Sequence, residues 1–185
     1  MKHLALIVGS LRQGAYTRLV AQALVELAPP TLELNEVGIG ELPLYNQDLE
    51  AQTPPAQWRE FRDHIRQSDG VVFVTPEYNR GMPGALKNAI DVGSRPPKES
   101  VWRGKPALVI SQTPGRLGAM AAHQQLRLTL SVSGSPVMPA PEVYLAEVGK
   151  LLGPDGKLTA ADTRKLLASV LNDFDTWVGR FQSST

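Results

Sequence analysis

Three short, nearly uninterrupted apolar stretches constrain the fold of this chain more than any other feature of its sequence. They occupy residues 4–8, 70–75 and 107–111, and each ends at a loop rich in glycine, proline and hydroxyl side chains. Continuous apolar runs of this length are typical of strands buried on both faces of a parallel sheet. Because parallel strands need a crossover between them, we expect helices in the segments that follow.

The segments after these stretches do have helical spacing, with apolar residues every three or four positions along one face. The predicted helices are 16–28, the region of Trp58, Phe61 and Ile65, a helix that begins at Pro83 and stops at 95–97, the region from Ala119 to Leu130, and a last helix to Phe181. Strands that alternate with helices predict an α/β fold, in which a doubly wound parallel sheet carries helices on both faces.

The remaining elements have weaker patterns. Residues 31–37 alternate loosely, as an edge or near-edge strand would, and a polar connection fills 38–55. Pro136–Met138 is predicted as a short fifth strand, at an edge because proline cannot complete a central ladder. Thr159 is expected to cap the last helix together with Asp162, which lies three residues further on.

Composition narrows the chemistry that the chain can perform. It has 185 residues, 42% of them apolar, a net charge of +1 and no cysteine. We therefore expect a single globular domain over residues 1–185, without iron–sulfur, zinc–thiolate or cysteine-nucleophile chemistry. No stretch approaches the roughly 18 apolar residues of a membrane helix, and no signal peptide is apparent, so a cytoplasmic location is expected. The balanced charge also argues against nucleic-acid partners and favours small molecules.

Such sheets bind ligands beyond the carboxyl ends of their strands, so the loops after Val8, Thr75 and Ser111 are the candidate binding loops. The first follows Val8 and contains Gly9, Ser10, Arg12 and Thr17 before and at the start of a helix. Small residues, hydroxyl donors, a guanidinium and a helix N-terminus suit a phosphate group. A plain capped turn with a solvated arginine fits the same residues. The loop lacks both the Walker pattern and the glycine spacing of a dinucleotide fingerprint.

The second and third loops combine a rigid frame with polar groups. The second loop holds Pro76, Glu77, Tyr78 and Asn79, and the third follows with Gln112, Thr113, Pro114 and Gly115. Proline stiffens a loop and glycine thins it, so such walls can pack against a planar ring while polar groups bond to its edge. The alternatives are a surface loop whose tyrosine covers the core and a flexible connection.

Three stretches of sequence are similar to those of a known family. Residues 9–12, Gly-Ser-Leu-Arg, together with Thr-Pro-Glu-Tyr-Asn at 75–79 and Pro-Gly-Ala-Leu-Lys-Asn-Ala-Ile-Asp at 83–91, resemble the NADPH-dependent FMN reductase family, and within it most closely the quinone and chromate reductases. The likeness covers residues 4 to about 143. It implies a flavodoxin-like fold with strand order 2-1-3-4-5.

The resemblance also implies roles for the loop residues. The first loop would hold the FMN phosphate through Ser10, Arg12 and Thr17. The second loop would lie beside the isoalloxazine with residues 76–79, and the third would border the other edge of the ring with residues 112–115. The chain departs from the family at two positions, since Ala15 stands where serine is usual and Thr17 where asparagine is usual, which removes one potential phosphate donor.

The activity implied by the resemblance is the transfer of electrons from NADPH or NADH to a quinone or another small acceptor such as chromate, an azo compound or free flavin. The FMN would be tightly but not covalently bound, and both substrates would use the same flavin face in turn. A cofactor that carries the redox chemistry also explains why no acid–base pair or metal site is evident. The three histidines, His3, His64 and His123, are expected to be surface or partly packed residues.

A homodimer or homotetramer is also expected, because the family pairs its third and fourth helices between subunits. Here the helix after Pro83 carries a wide apolar run, Ala85, Leu86, Ala89, Ile90 and Val92. The other possibility is that this helix is buried entirely within its own chain.

Two other functions remain open at this stage. A flavodoxin-like electron carrier or flavin-binding signalling protein shares the fold. Family resemblance implies that carriers of that fold are typically strongly acidic, whereas this chain has a net charge of +1. A serine esterase using Ser10 would need a histidine base near the same edge of the sheet. No histidine follows His123, so the sequence offers no such base.

Overall fold

The computed structural model describes residues 1–182, in which five parallel strands form one sheet. The strands are β1 (Lys2–Val8), β2 (Leu32–Glu36), β3 (Gly70–Thr75), β4 (Ala107–Gln112) and β5 (Val143–Leu145). Their order is β2-β1-β3-β4-β5, and every neighbouring pair is parallel. The predicted fold class and strand order are therefore confirmed.

Helices cover both faces of this sheet. The described residues contain α1 (Tyr16–Leu27), α2 (Gln47–Ala51), α3 (Ala56–Gln67), α4 (Gly84–Gly93), α5 (Met120–Val132) and α6 (Ala161–Gly179). Helices α1 and α6 share one apolar core with the sheet, whereas α3, α4 and α5 share the other. Within residues 1–182, no helix is both long and apolar enough to cross a membrane.

The position of β1 between two layers of helices explains why its sequence lacks a polar face. Leu4, Leu6 and Val8 join the core under α1 and α6, while Ala5 and Ile7 join the core under α3 and α4. Successive side chains of a strand point to opposite faces, so a strand with helices on both sides must be apolar at every position. The same reason accounts for the apolar runs of β3 and β4.

The prediction of the fifth strand was wrong in its position. Val137 makes only an isolated parallel bridge with Ala107, and the strand itself is Val143–Leu145, which pairs with residues 110–112. Both segments border β4, one at its start and one at its end. Proline residues at 139 and 141 lie between them, and because proline has no N–H group it cannot continue the ladder.

Two local predictions also differ from the structure. The connection at 38–55 contains the short helix α2, which Asn46 caps by accepting a hydrogen bond from the amide of Asp48 at 2.9 Å. Thr159 does not cap α6, because the N-cap residue is Ala160 and the Thr159 hydroxyl faces the carbonyl of Leu151 at 3.4 Å. The local sequence around Thr159 does not indicate that its hydroxyl bonds a carbonyl eight positions away in place of the helix amides.

The apolar run of α4 is covered by its own chain. Leu86, Ala89, Ile90 and Val92 are all buried, and the indole of Trp102 donates to the carbonyl of Ile90 at 2.8 Å. The width of this apolar run was the sequence evidence for subunit pairing. Because the run is buried within its own chain, it gives that prediction no support. Any subunit contact must use a different surface.

Candidate cofactor site

The three loops singled out from the sequence meet at one edge of the sheet. Strand β1 pairs with β3 so that Val8 lies beside Val74, and β3 pairs with β4 so that Thr75 lies beside Ser111. The first loop (residues 9–15), the second loop (76–83) and the third loop (113–119) therefore leave adjacent strands side by side. The strand order changes direction between β1 and β3, and ligands bind at such points in open α/β sheets.

The first and second loops are in direct contact. A Cβ atom at Gly9 would lie 3.2 Å from side-chain atoms of both Leu86 and Pro76, so only glycine fits there without displacing its neighbours. The Ser10 side chain is buried, and its hydroxyl lies 3.0 Å from the hydroxyl of Tyr78. Two of the predicted site residues from different loops are therefore hydrogen-bonded to one another.

The start of α1 beside the first loop has no side-chain cap. Its N-cap residue, Ala15, has no side chain that could bond the first amides of the helix. Thr17 is fully buried in the first turn, and its hydroxyl oxygen has no hydrogen-bond partner among residues 1–182. Leaving a buried hydroxyl unsatisfied costs about 1–3 kcal/mol, and the N-terminus of a helix favours an anion. This corner is therefore suited to a bound phosphate.

Arg12 lies in the same loop and is exposed. None of the ion pairs formed within residues 1–182 includes it, whereas Arg18 in α1 is held by both carboxylate oxygens of Glu36 at 2.8 Å. The guanidinium of Arg12 is therefore available to an anionic ligand, and that of Arg18 is not.

The second loop contains a tight reverse turn. Tyr78 and Gly81 exchange two backbone hydrogen bonds, of 2.9 and 3.1 Å, and the two residues between them, Asn79 and Arg80, have φ angles of 52° and 64°. Positive φ at both central positions is the geometry of a type I′ turn, which favours asparagine first and glycine second. Arg80 in the second position is unfavourable, so the surroundings must hold the turn in place.

The side chain of Glu77 faces α5. One carboxylate oxygen accepts hydrogen bonds from the amides of Ala121 at 3.0 Å and Ala122 at 3.2 Å, and the other pairs with Arg80 at 3.2 Å. The exposed positions of the loop are those of Tyr78, Asn79 and Arg80.

The third loop follows β4 and is fastened to the end of β5. The amide of Thr113 donates to the carbonyl of Leu145 at 3.0 Å, and the Thr113 hydroxyl accepts from the amide of Gly115 at 3.2 Å. Gln112 is 3% exposed, and its amide oxygen has no partner among the described residues. Pro114 and Gly115 are exposed beside it. The loop therefore offers one free buried acceptor on a rigid frame.

This chain is similar to known proteins. The family described as NADPH-dependent FMN reductase matches residues 1–150. The chain belongs to the NADPH-dependent FMN reductase family. A quinone reductase from Pseudomonas putida is 52% identical over 174 residues, which cover 94% of this chain and 93% of that protein. A 2-hydroxy-1,4-benzoquinone reductase from Burkholderia is 39% identical over 175 residues, or 95% of each protein.

Solved structures agree with the family assignment. The flavoenzyme NAD(P)H:(acceptor) oxidoreductase FerB from Paracoccus denitrificans has a TM-score of 0.91 and 38% identity, covering 98% of this chain and 99% of that one. A flavodoxin from Pseudomonas aeruginosa, 17% identical with a TM-score of 0.57, shares the fold. As a member of the FMN reductase family, the chain is an oxidoreductase that uses FMN and NAD(P)H.

The residues present fit this cofactor. The free hydroxyl of Thr17 can donate to a phosphate oxygen, and the free amide oxygen of Gln112 can accept from an N–H donor, which the pyrimidine edge of a flavin ring carries. These two are among five buried side-chain atoms without partners in the described residues, and both belong to the predicted site. Buried polar atoms are seldom left without partners, so a bound ligand would explain the two unpartnered atoms of the predicted site.

Sequence reasoning missed one residue that shapes this site. The side-chain oxygen of Gln125 in α5 accepts the amide of Met82 at 2.7 Å and so holds the far end of the second loop. Gln125 lies 43 positions after Met82, and nothing in its local sequence indicates the contact.

The histidines are only partly as expected. His3 and His64 are exposed, but His123 in α5 is fully buried against the ring of Tyr144, with 4.5 Å between ring centroids. Neither of its ring nitrogens has a partner within residues 1–182. Burial first, and then the charge of Arg127, lowers the pKa of His123 to about 4, although Glu142 opposes the shift.

Proposed function

We propose that this chain is a quinone reductase that binds FMN at the three loops and passes electrons from NAD(P)H to a quinone. The observation that carries the proposal is a pair of buried polar groups without partners in the described residues: the Thr17 hydroxyl, in the helix that follows β1, and the Gln112 amide oxygen, at the end of β4. The relatives named as quinone reductases support the choice of acceptor, because they match the chain over more than nine-tenths of its length.

The first loop would hold the phosphate. The hydroxyls of Ser10 and Thr17 can donate to it, the guanidinium of Arg12 can neutralise it, and Gly9 lets the backbone approach closely. The N-terminus of α1 adds its positive dipole end. Thr17 and Ala15 differ from the family pattern, but the hydroxyl of Thr17 is buried and free to donate.

The second and third loops would hold the ring. Pro76 is buried and Tyr78 and Asn79 are exposed, and these three residues with Glu77 would form one wall of the ring site. Gln112, Thr113, Pro114 and Gly115 would border the opposite edge, with the Gln112 oxygen as the acceptor. FMN, when bound, supplies the site that accepts and donates hydride. The protein residues position it and leave one face open to both substrates in turn.

The proposal is tested by cofactor content and steady-state kinetics. The purified protein should bind one FMN per chain, releasable by heat, and should oxidise NAD(P)H continuously when a quinone is added. If both substrates use one face, double-reciprocal plots at several quinone concentrations should be parallel. Intersecting lines would contradict a shared face. An FMN-loaded protein that does not turn over NAD(P)H would instead be an electron carrier.

The phosphate assignment predicts a selective effect of Arg12→Ala. Loss of one or two charge-assisted hydrogen bonds, worth roughly 1.5–3 kcal/mol, should weaken FMN binding about 10- to 150-fold. Riboflavin has the same ring and no phosphate, so its weaker binding should not change. Turnover of the FMN-saturated variant should stay near the wild-type value. Fluorescence titration with both flavins measures these affinities.

Arg18→Ala is the matched control for this experiment, because Arg18 is an arginine in the first turn of α1, close in sequence to Arg12, but is already paired with Glu36. It should leave the affinity for both flavins unchanged. If Arg12→Ala weakens riboflavin as much as FMN, the guanidinium supports the ring or the fold, and the phosphate assignment of the first loop is wrong.

We also propose that the chain forms a homo-oligomer through α5. Met120, Leu128 and Val132 are spaced by multiples of four along this helix, and they are 52%, 67% and 83% exposed. Leu117 in the third loop adds a further exposed apolar side chain. Large apolar residues aligned on one exposed helix face are typical of subunit interfaces. The neighbouring α4 cannot supply this contact through its apolar run, because that run is buried.

A charge on this face should separate the subunits. Light scattering should give at least a dimer for the wild-type protein, and Leu128→Glu should give a monomer mass at the same concentration. Leu166→Glu, on the exposed side of α6, is the matched control and should not alter the mass. A wild-type monomer at micromolar concentration would refute the proposal.

A further inference from the structure

The amino end of α5 is capped by another part of the chain. Its own N-cap residue, Ala119, has a φ of 61° and no side chain that can accept a hydrogen bond. Glu77 of the second loop supplies the missing acceptor through its bonds to the amides of Ala121 and Ala122. Its side chain is only 11% exposed. A carboxylate at a helix N-terminus is favourable both as a hydrogen-bond acceptor and as a negative charge.

The second loop is therefore attached to α5 at both ends. Glu77 holds the segment before the reverse turn, and the bond from the amide of Met82 to Gln125 holds the segment after it. The turn between them contains Arg80 at a φ of 64°, a conformation that is unfavourable for a residue other than glycine. The two attachments supply the constraint that keeps this turn in place.

Tyr78 lies between these attachments and contacts the first loop through Ser10. Hydrogen bonds thus join α5 to Glu77 and Tyr78 to the predicted phosphate loop, and the peptide chain links these two neighbouring residues. The carboxylate of Glu77 is already engaged by two amides and by Arg80, so both of its oxygens are occupied.

We infer that Glu77 is a positioning residue. It fixes the second loop on α5 beside the proposed flavin ring and does not itself contact the flavin. The inference rests on the proposed function, since it concerns the same site. It changes the role that the sequence resemblance implies for Glu77, from a ring contact to the support of Tyr78 and Asn79.

Hydrogen exchange and flavin titration of Glu77→Ala test the inference. Amide protection at Ala121 and Ala122 should fall, because their acceptor is removed. The affinities for FMN and riboflavin should fall by the same factor, about 2- to 30-fold, the range expected for loss of a helix cap. An equal loss for both flavins differs from the FMN-selective loss expected for Arg12→Ala.

Conservative and matched variants complete the test. Glu77→Gln keeps an oxygen that can accept from both amides, so it should restore most of the protection and of the flavin affinity. Asp91→Ala removes a carboxylate that pairs with Lys87 on the exposed side of α4, and it should change neither quantity. If Glu77→Ala does not fold, Gln125→Ala removes the other attachment and should also weaken both flavins equally.

Two results would overturn the inference. Unchanged protection at Ala121 and Ala122 in a folded Glu77→Ala protein would mean that the carboxylate does not hold α5. Equal losses of flavin affinity in Glu77→Ala and Glu77→Gln would mean that the charge acts on the flavin directly. Failure of the proposed function would be seen earlier, as a wild-type protein that binds no flavin.

Discussion

Replacing Arg62 with methionine should lower the free energy of unfolding by about 3–5 kcal/mol, the range measured when one member of a buried ion pair is removed. Arg62 is 4% exposed in α3, and its guanidinium donates to both carboxylate oxygens of Glu50, at 3.1 and 2.5 Å. It also donates to the carbonyl of Val92 at 2.9 Å and lies 5.8 Å from the ring of Trp58. Methionine can fill the space but satisfies neither Glu50 nor Val92.

Urea unfolding of the wild-type and variant proteins measures this loss. Lys87→Met is the matched control, since it removes an exposed pair with Asp91 and should cost no more than about 0.5 kcal/mol. The double variant Arg62→Met/Glu50→Leu removes both charges and should recover part of the loss. A loss below about 1 kcal/mol in Arg62→Met would mean that α2 moves and returns Glu50 to water.

His123 should make the protein less stable in acid. Its pKa is about 4 in the folded chain because the ring is buried, and about 6.5 in an unfolded chain. Between these values the unfolded state binds the proton and the folded state does not. The stability that depends on neutral His123 is therefore fully present above pH 6.5 and is lost as the pH falls toward 4. The loss from this residue at pH 4 is roughly 3 kcal/mol.

His123→Gln removes this titration. The difference in unfolding free energy between the variant and the wild-type protein should shift by roughly 3 kcal/mol in favour of the variant between pH 7.5 and pH 4. His64→Gln, which changes an exposed histidine of α3, should show a constant difference over the same range. A constant difference for His123→Gln as well would mean that its ring is protonated without unfolding, through access to water or to Glu142.

The place of the candidate site in the fold could be predicted because it follows from local patterns. Ser10 follows β1, Thr17 lies in the first turn of α1 and Gln112 ends β4, and the register of β1, β3 and β4 brings these segments to the same edge of the sheet. The apolar runs fixed these strands with little ambiguity. The unpartnered oxygens of Thr17 and Gln112 could not be predicted, since burial depends on the packing around them.

The sequence by itself determined the layers of this protein. Burial on both faces of a strand requires a continuous apolar run, and burial on one face of a helix requires apolar residues every three or four positions. Only the tertiary structure decided which of two segments beside β4 became β5, and that the apolar run of α4 is covered by Trp102. It also decided that Glu77 bonds to α5, 44 positions away. These outcomes depend on contacts between distant segments, whose free energies do not follow from the order of neighbouring residues.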